Sequence, residues 1–197
     1  MSDQSRVASA TQTEGRPTES GGCSPLSGGC PPLSGGCQCG AVRYRIEGPL
    51  IDPHICHCRM CQKAVGNYFL SLAHTPKDNF ILSRGEIRQF HSSTPFRRGF
   101  CERCGTPLTL DSPSSDVIYL VLGALDDPGA FAPVNQYGTE ARMPWFEELA
   151  ALPGEATEAN EIIDGVPLDQ IQSSNHQHPD HDTDHWPPAR TENESRS

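Results

Sequence analysis

The sequence predicts a mainly β fold: a small domain of short antiparallel sheets with little helix and disordered tails. Three observations predict it. Eighteen Gly and eighteen Pro among 197 residues break the chain into short segments. Between the breaks, short runs alternate apolar and polar side chains with the period of a half-buried strand. Seven of the nine cysteines fall into three tight groups, Cys37-Gln-Cys39, Cys56-His-Cys58-Arg-Met-Cys61 and Cys101-Glu-Arg-Cys104. A domain with a limited apolar core gains stability from metal ions held by such groups.

Residues 1–33 are read as a disordered arm, because Ser, Thr, Gly and Pro dominate and large apolar side chains are few. Ser-Gly-Gly-Cys occurs there at Ser20–Cys23, Ser27–Cys30 and Ser34–Cys37, a period of seven. Gly-Gly in every copy excludes a coiled coil. Cys23 and Cys30 are expected to be spectators of a slipped duplication, with auxiliary metal capture as the alternative. The functional domain is expected over 34–155. Its first strand carries Val42, Tyr44 and Ile46 on one face and Arg43, Arg45 and Glu47 on the other, and Gly48-Pro49 ends it. Further strands are expected at Tyr68–His74, Phe80–Ser83, Ile87–His91, Arg97–Phe100, Pro107–Leu110 and Val117–Leu122, a meander of antiparallel pairs. Helical pattern is confined to Pro144–Ala150, with Pro144 in a permitted first-turn position.

Residues 156–197 are expected to form an acidic, His-containing tail. The segment 151–197 holds ten acidic and two basic side chains, most of the chain's net charge of -10. That balance argues against nucleic acid, whose phosphates need a basic face. A mobile, solvating tail is expected. Weak chelation by His176, His178, His181 and His185, or docking of Trp186-Pro187-Pro188, are the alternatives. No apolar run reaches the ~18 residues of a membrane span, and the N-terminus lacks a signal-like apolar stretch. A reducing cytoplasm is therefore expected, where thiols bind metal rather than pair as disulfides. An odd cysteine count fits a disulfide framework poorly.

Cys101-Glu-Arg-Cys104-Gly105 sits between two expected strands and reads as a zinc knuckle. Cys37-Gln-Cys39-Gly40 is its natural partner, although 61 residues separate the pairs, because loop-closure entropy grows only with the logarithm of length. Cys37, Cys39, Cys101 and Cys104 are assigned to one closed structural zinc site. Cys56, Cys58 and Cys61 remain as a three-thiolate set. Its fourth position falls to His54, His57, a distant His91, water or the thiol of a substrate. A closed site is structural, whereas an open one can take a substrate. Three thiolates on a divalent ion leave one negative charge, which the nearby Arg59 and Lys63 can offset.

The motifs Gly-Gly-Cys-Gln-Cys-Gly-Ala-Val-Arg-Tyr, Cys-His-Cys-Arg-Met-Cys-Gln-Lys-Ala and Phe-Cys-Glu-Arg-Cys-Gly-Thr-Pro-Leu, in this order, resemble the glutathione-dependent formaldehyde-activating enzyme family. That family shares its domain with centromere protein V. The resemblance covers about residues 34–150 and extends weakly to Gly123-Ala-Leu-Asp126 and Pro144-Trp145. It implies a β-rich fold with two zinc ions. The structural ion falls to Cys37, Cys39, Cys101 and Cys104, and the catalytic one to Cys56, Cys58 and Cys61. It also implies a carbon–sulfur lyase of the S-(hydroxymethyl)glutathione synthase type, with glutathione and formaldehyde as partners. The rivals are a lyase using another thiol or aldehyde and a non-catalytic two-zinc interaction module. Oligomeric state stays open.

Overall fold

The computed structural model describes residues 33–159 and 161–185. Cys23, Cys30 and Trp186-Pro187-Pro188 lie outside the described residues. In chain order the elements are β1 (Leu33–Gly36), β2 (Arg43–Ile46), β3 (Ile51–Cys56), α1 (Arg59–Val65), β4 (Leu70–Pro76), β5 (Phe80–Arg84), β6 (Arg88–His91), β7 (Arg97–Phe100), β8 (Pro107–Asp111), β9 (Val117–Val121), β10 (Asn135–Tyr137), β11 (Ile162–Ile163), β12 (Val166–Pro167) and α2 (Leu168–Ser173). The fold is mainly β, as the alternating pattern predicts. Residues 144–150 are helical only as the 3-10 segment Phe146–Ala151, which follows Trp145.

Two sheets make the domain. The smaller has the order β1-β2-β5, and the larger runs β10-β3-β4-β9-β8-β7-β6. Neighbouring strands are antiparallel except β10, which lies parallel to β3 and aligns Tyr137 with Cys56. β3 is not evident in the sequence because Pro53 interrupts it. The register shifts between Ile51 and His54, and a bulge is one of the few places where a sheet tolerates Pro.

Side chains from both sheets meet in the main core, where Tyr44, Ile46, Ala73, Leu108 and Leu120 are wholly buried and Cys37 and Cys101 lie among them. Each large apolar residue there contributes about 1.5–3 kcal/mol by leaving water. A second cluster gathers Cys61, Leu70 and Leu72 between α1 and β4. Each cysteine group is thus built into a core cluster of its own.

Alternation predicts a solvated Arg43, and the structure buries it to 3% exposure. The reason is charge pairing. Its guanidinium grips Asp126 through two bonds of 2.7 and 2.6 Å and reaches Asp182 at 2.8 Å. Asp182 belongs to the acidic tail, so part of that tail lies against the domain rather than in free solvent. The His178 amide donates to the Gln38 carbonyl at 2.7 Å, and Arg84 donates to the Thr183 carbonyl. No helix among the described residues is long and apolar enough to cross a membrane.

Candidate metal centres and the adjoining cavity

The first cysteine group closes the turn between β1 and β2. The Cys37 amide donates to the Val42 carbonyl and the Gly40 amide to the Cys37 carbonyl, both at 3.0 Å. The second turn joins β7 to β8 in the same manner, with Cys101 N–H on Thr106 O and Gly105 N–H on Cys101 O. Gly40 and Gly105 both have the left-handed φ such turns need, 68° and 77°. The Gln38 amide donates to Thr106 Oγ1 at 3.0 Å and ties the turns together.

All four sulfurs lie within 4.8 Å of one another. Cys37 Sγ is 3.6 Å from Cys39 Sγ, which is 3.8 Å from Cys101 Sγ. A zinc–sulfur bond of about 2.3 Å implies tetrahedral edges of ~3.8 Å, so the donor set fits zinc. A disulfide would require ~2.05 Å, and no described cysteine is in one. The Val42 amide donates to Cys37 Sγ at 3.2 Å. Burial pushes the Cys104 thiol up, but the Thr106 hydroxyl and the amides of Thr106 and Cys39 outweigh it and bring it down to about 6. Such N–H and O–H donors favour thiolates.

The other group sits where β3 passes into α1. Cys56 ends β3, opposite Leu70 of β4. Cys58 is the N-cap of α1 and accepts the Cys61 amide on its sulfur at 3.4 Å. Cys61, in the first turn, is buried. Burial pushes the Cys56 thiol up to about 12. Burial pushes Cys58 up, but the amides of Cys61 and Met60 and the thiols of Cys61 and Cys56 together outweigh it and lower that thiol. The three sulfurs lie within 4.8 Å of one another, and no fourth Cys, His, Asp or Glu atom among the described residues joins them.

None of the histidines considered as fourth ligands joins the three sulfurs. His54 Nδ1 pairs with the Asp52 carbonyl at 2.7 Å, and its ring packs edge-on against Tyr137. His57 is wholly buried, turned onto Phe146 at 4.7 Å, with Nε2 3.0 Å from Gln136 Oε1. His91 is exposed at the end of edge strand β6. The tail histidines form no metal-competent group among the described residues.

Three residues not singled out in the sequence hold this site. Gln62, buried to 1% exposure, donates to the carbonyls of both His57 and Ala141 at 2.7 and 2.9 Å. Gly138 sits so close to Cys58 that an added Cβ would lie 2.6 Å from its amide nitrogen. Arg98 of β7 donates to Cys61 Sγ at 3.5 Å. Only the first carried a sequence signal, as a polar residue inside a cysteine motif; the others depend on contacts across 80 and 37 positions.

A cavity of about 600 Å³ opens beside Cys61, lined by Arg59, Met60 and Lys63 of α1, by Leu70 and Leu72 of β4, and by Arg98. None of the three cysteines lines it; Arg98, which does, links its cationic side chains and apolar floor to the sulfur group through Cys61 Sγ. That combination suits a ligand that brings negative charge and a sulfur or carbonyl group.

The family model described as glutathione-dependent formaldehyde-activating enzyme matches residues 32–140, more than half the chain. A crystal structure of a Rhodobacter sphaeroides protein, a structural-genomics target, shares 22% identity and covers 52% of this chain and 98% of that one, with a TM-score of 0.44. No curated protein matches the chain significantly.

Proposed function

The chain belongs to the glutathione-dependent formaldehyde-activating enzyme family, and from that premise we propose a zinc-dependent carbon–sulfur lyase acting at Cys56, Cys58 and Cys61. In the proposed reaction the sulfur of glutathione forms a bond to the carbon of formaldehyde. The thiol gives up its proton and the carbonyl oxygen gains one, so S-hydroxymethylglutathione forms with no change of oxidation state. Cys37, Cys39, Cys101 and Cys104 would hold a structural ion and Cys56, Cys58 and Cys61 a catalytic one. The domain doing this work is placed at 34–155.

The observation that carries the reading is the three-sulfur set that no fourth protein ligand among the described residues joins, placed beside a cavity large enough for a substrate. A zinc ion held there would supply Lewis acidity that favours the thiolate form of a thiol brought beside it. The chain's own residues supply the rest. The Cys61 amide orients Cys58, and Gln62 fixes the loop before α1 to the segment after β10. The Arg98 guanidinium balances the negative charge of the cysteine set. Arg59 and Lys63 attract the carboxylates of the incoming thiol. Among the described residues no Asp or Glu lines the cavity, so the thiol proton passes to solvent and the product oxygen takes its proton from water.

A glutathione titration followed by calorimetry tests the reading. Zinc-loaded wild-type protein should bind glutathione, and S-methylglutathione should bind at least tenfold more weakly because its sulfur is blocked. Equal binding of the two would remove the sulfur from the account.

A further inference from the structure

The family match ends at residue 140, yet the chain returns to the domain at His178. Side chains 169–177 are exposed, and burial then resumes: His178 is 3% exposed, and Pro179 and Thr183 are partly buried. Charge accounts for the landing place. Arg43 of β2 lies opposite Arg84 of β5, and like charges directly opposite destabilise a sheet. Asp126 grips Arg43, which sets one carboxylate against two cations. The tail adds a second. Asp182 Oδ1 accepts from Arg43 Nε at 3.2 Å and from Nη2 at 2.8 Å, and the Thr183 carbonyl accepts from Arg84. Within the tail, the His178 ring bridges the Pro179 carbonyl and Thr183 Oγ1 at 2.6 and 3.0 Å, so residues 178–183 close into one unit.

That unit lies against the four-cysteine centre. The His178 amide donates to the carbonyl of Gln38, the residue between Cys37 and Cys39, at 2.7 Å. A cavity of about 140 Å³ lies between tail and domain, walled by Cys37 and Thr106 from the domain and by His178, Pro179 and Asp180 from the tail. Thr106 Oγ1 is in turn 3.1 Å from Cys104 Sγ. Both cysteine turns therefore border the space that the tail encloses. Cys39 and Cys104 are partly exposed, but Cys37 is only 3% exposed. Removing an ion from four sulfurs requires each to let go in turn, and this side of Cys37 is reached through the tail. The tail itself is held lightly, because Asp182 is 50% exposed and salt screens its pairing. A lightly held segment over a buried centre opens locally without unfolding the domain.

We infer that residues 178–183 are a strap that closes the four-cysteine centre and sets the rate at which chelators and thiol reagents reach it. The strap needs the four-cysteine assignment and not the lyase reading. Treating the zinc-loaded full chain with EDTA and iodoacetamide tests it, with mass spectrometry reading each cysteine separately. The double variant His178→Pro/Asp182→Arg removes the amide bond to Gln38 and sets a cation against Arg43 and Arg84. It should label Cys37 at least fivefold faster than the wild type and leave Cys56, Cys58 and Cys61 unchanged. Asp182→Glu should label as the wild type does. Raising salt should speed Cys37 labelling in the wild type and not in the double variant. Wild-type labelling of Cys37 in the double variant would overturn the inference. So would equal acceleration at both cysteine groups, the sign of a loosened domain rather than a lifted strap. Cys37 labelling that ignores EDTA would remove the bound metal, and the strap's role with it.

Discussion

Replacing Gly138 by alanine should empty one metal site and spare the other. Gly138 has φ 64° and ψ 33°, a left-handed conformation that costs an alanine about 1–2 kcal/mol. The new Cβ would lie 2.6 Å from Cys58 N and 3.0 Å from both Cys58 Cα and Cβ. Ordinary contact begins near 3.4 Å, so Cys58 must retreat by several tenths of an ångström. Metal–sulfur distances tolerate only about 0.2 Å. Competition with a chromogenic chelator should show weakened zinc retention at Cys56, Cys58 and Cys61, while the four-cysteine site, seated in the other core cluster, releases zinc as in the wild type. Chemical denaturation should report a loss of about 1–3 kcal/mol. Gly138→Asn separates the causes, since asparagine tolerates the left-handed region but carries the same Cβ. It should recover part of the stability and none of the metal. Normal retention at both sites in Gly138→Ala would refute the idea that this contact positions Cys58.

Two further outcomes follow from the ion pairs. Asp111 contacts Lys77 at 2.8 Å and also Arg97; burial opposes its ionisation, but these cations hold its carboxyl below the usual carboxylate range. A depressed carboxyl stabilises the fold above the unfolded value and loses that contribution as pH falls through the folded one. Asp111→Asn should therefore cost about 1–2 kcal/mol at neutral pH, less than a fully buried pair because Lys77 and Arg97 can rehydrate. In denaturant melts the difference from wild type should shrink below pH ~4, and a difference that grew there would contradict the sign. At the buried Arg43, Asp126→Asn should cost about 2–3 kcal/mol, whereas Asp182→Asn, altering a half-exposed tail residue, should cost less than ~1 kcal/mol. Equal losses in thermal unfolding would mean that the tail contact is as buried energetically as the domain contact.

The metal-competent groups are legible in the cysteine spacing alone, because ligand number and type are local properties. Strands with apolar alternation are legible too: Arg97–Phe100 lies where the pattern puts it, and Val117–Val121 ends one residue early. β10 is not, since Asn-Gln-Tyr has no apolar face and is ordered by pairing with β3. α1 escapes because seven residues carry too little periodicity and its N-cap is the cysteine Cys58 rather than Ser, Thr, Asp or Asn. Arg43 reads as a solvent-facing strand residue until Asp126 and Asp182 are brought to it across 83 and 139 positions. Arg98 and Gly138 are invisible for the same reason, as each acts on its cysteine through tertiary contact.

The central claim is a division of labour between the cysteine groups, and zinc stoichiometry combined with glutathione titration of the wild type and Cys58→Ala tests it most directly. The account predicts two zinc ions per chain in the wild type. Cys58→Ala should keep its fold and the ion at Cys37, Cys39, Cys101 and Cys104 while losing glutathione binding. Undiminished glutathione affinity in Cys58→Ala, or unfolding as severe as that of Cys104→Ala, would contradict it.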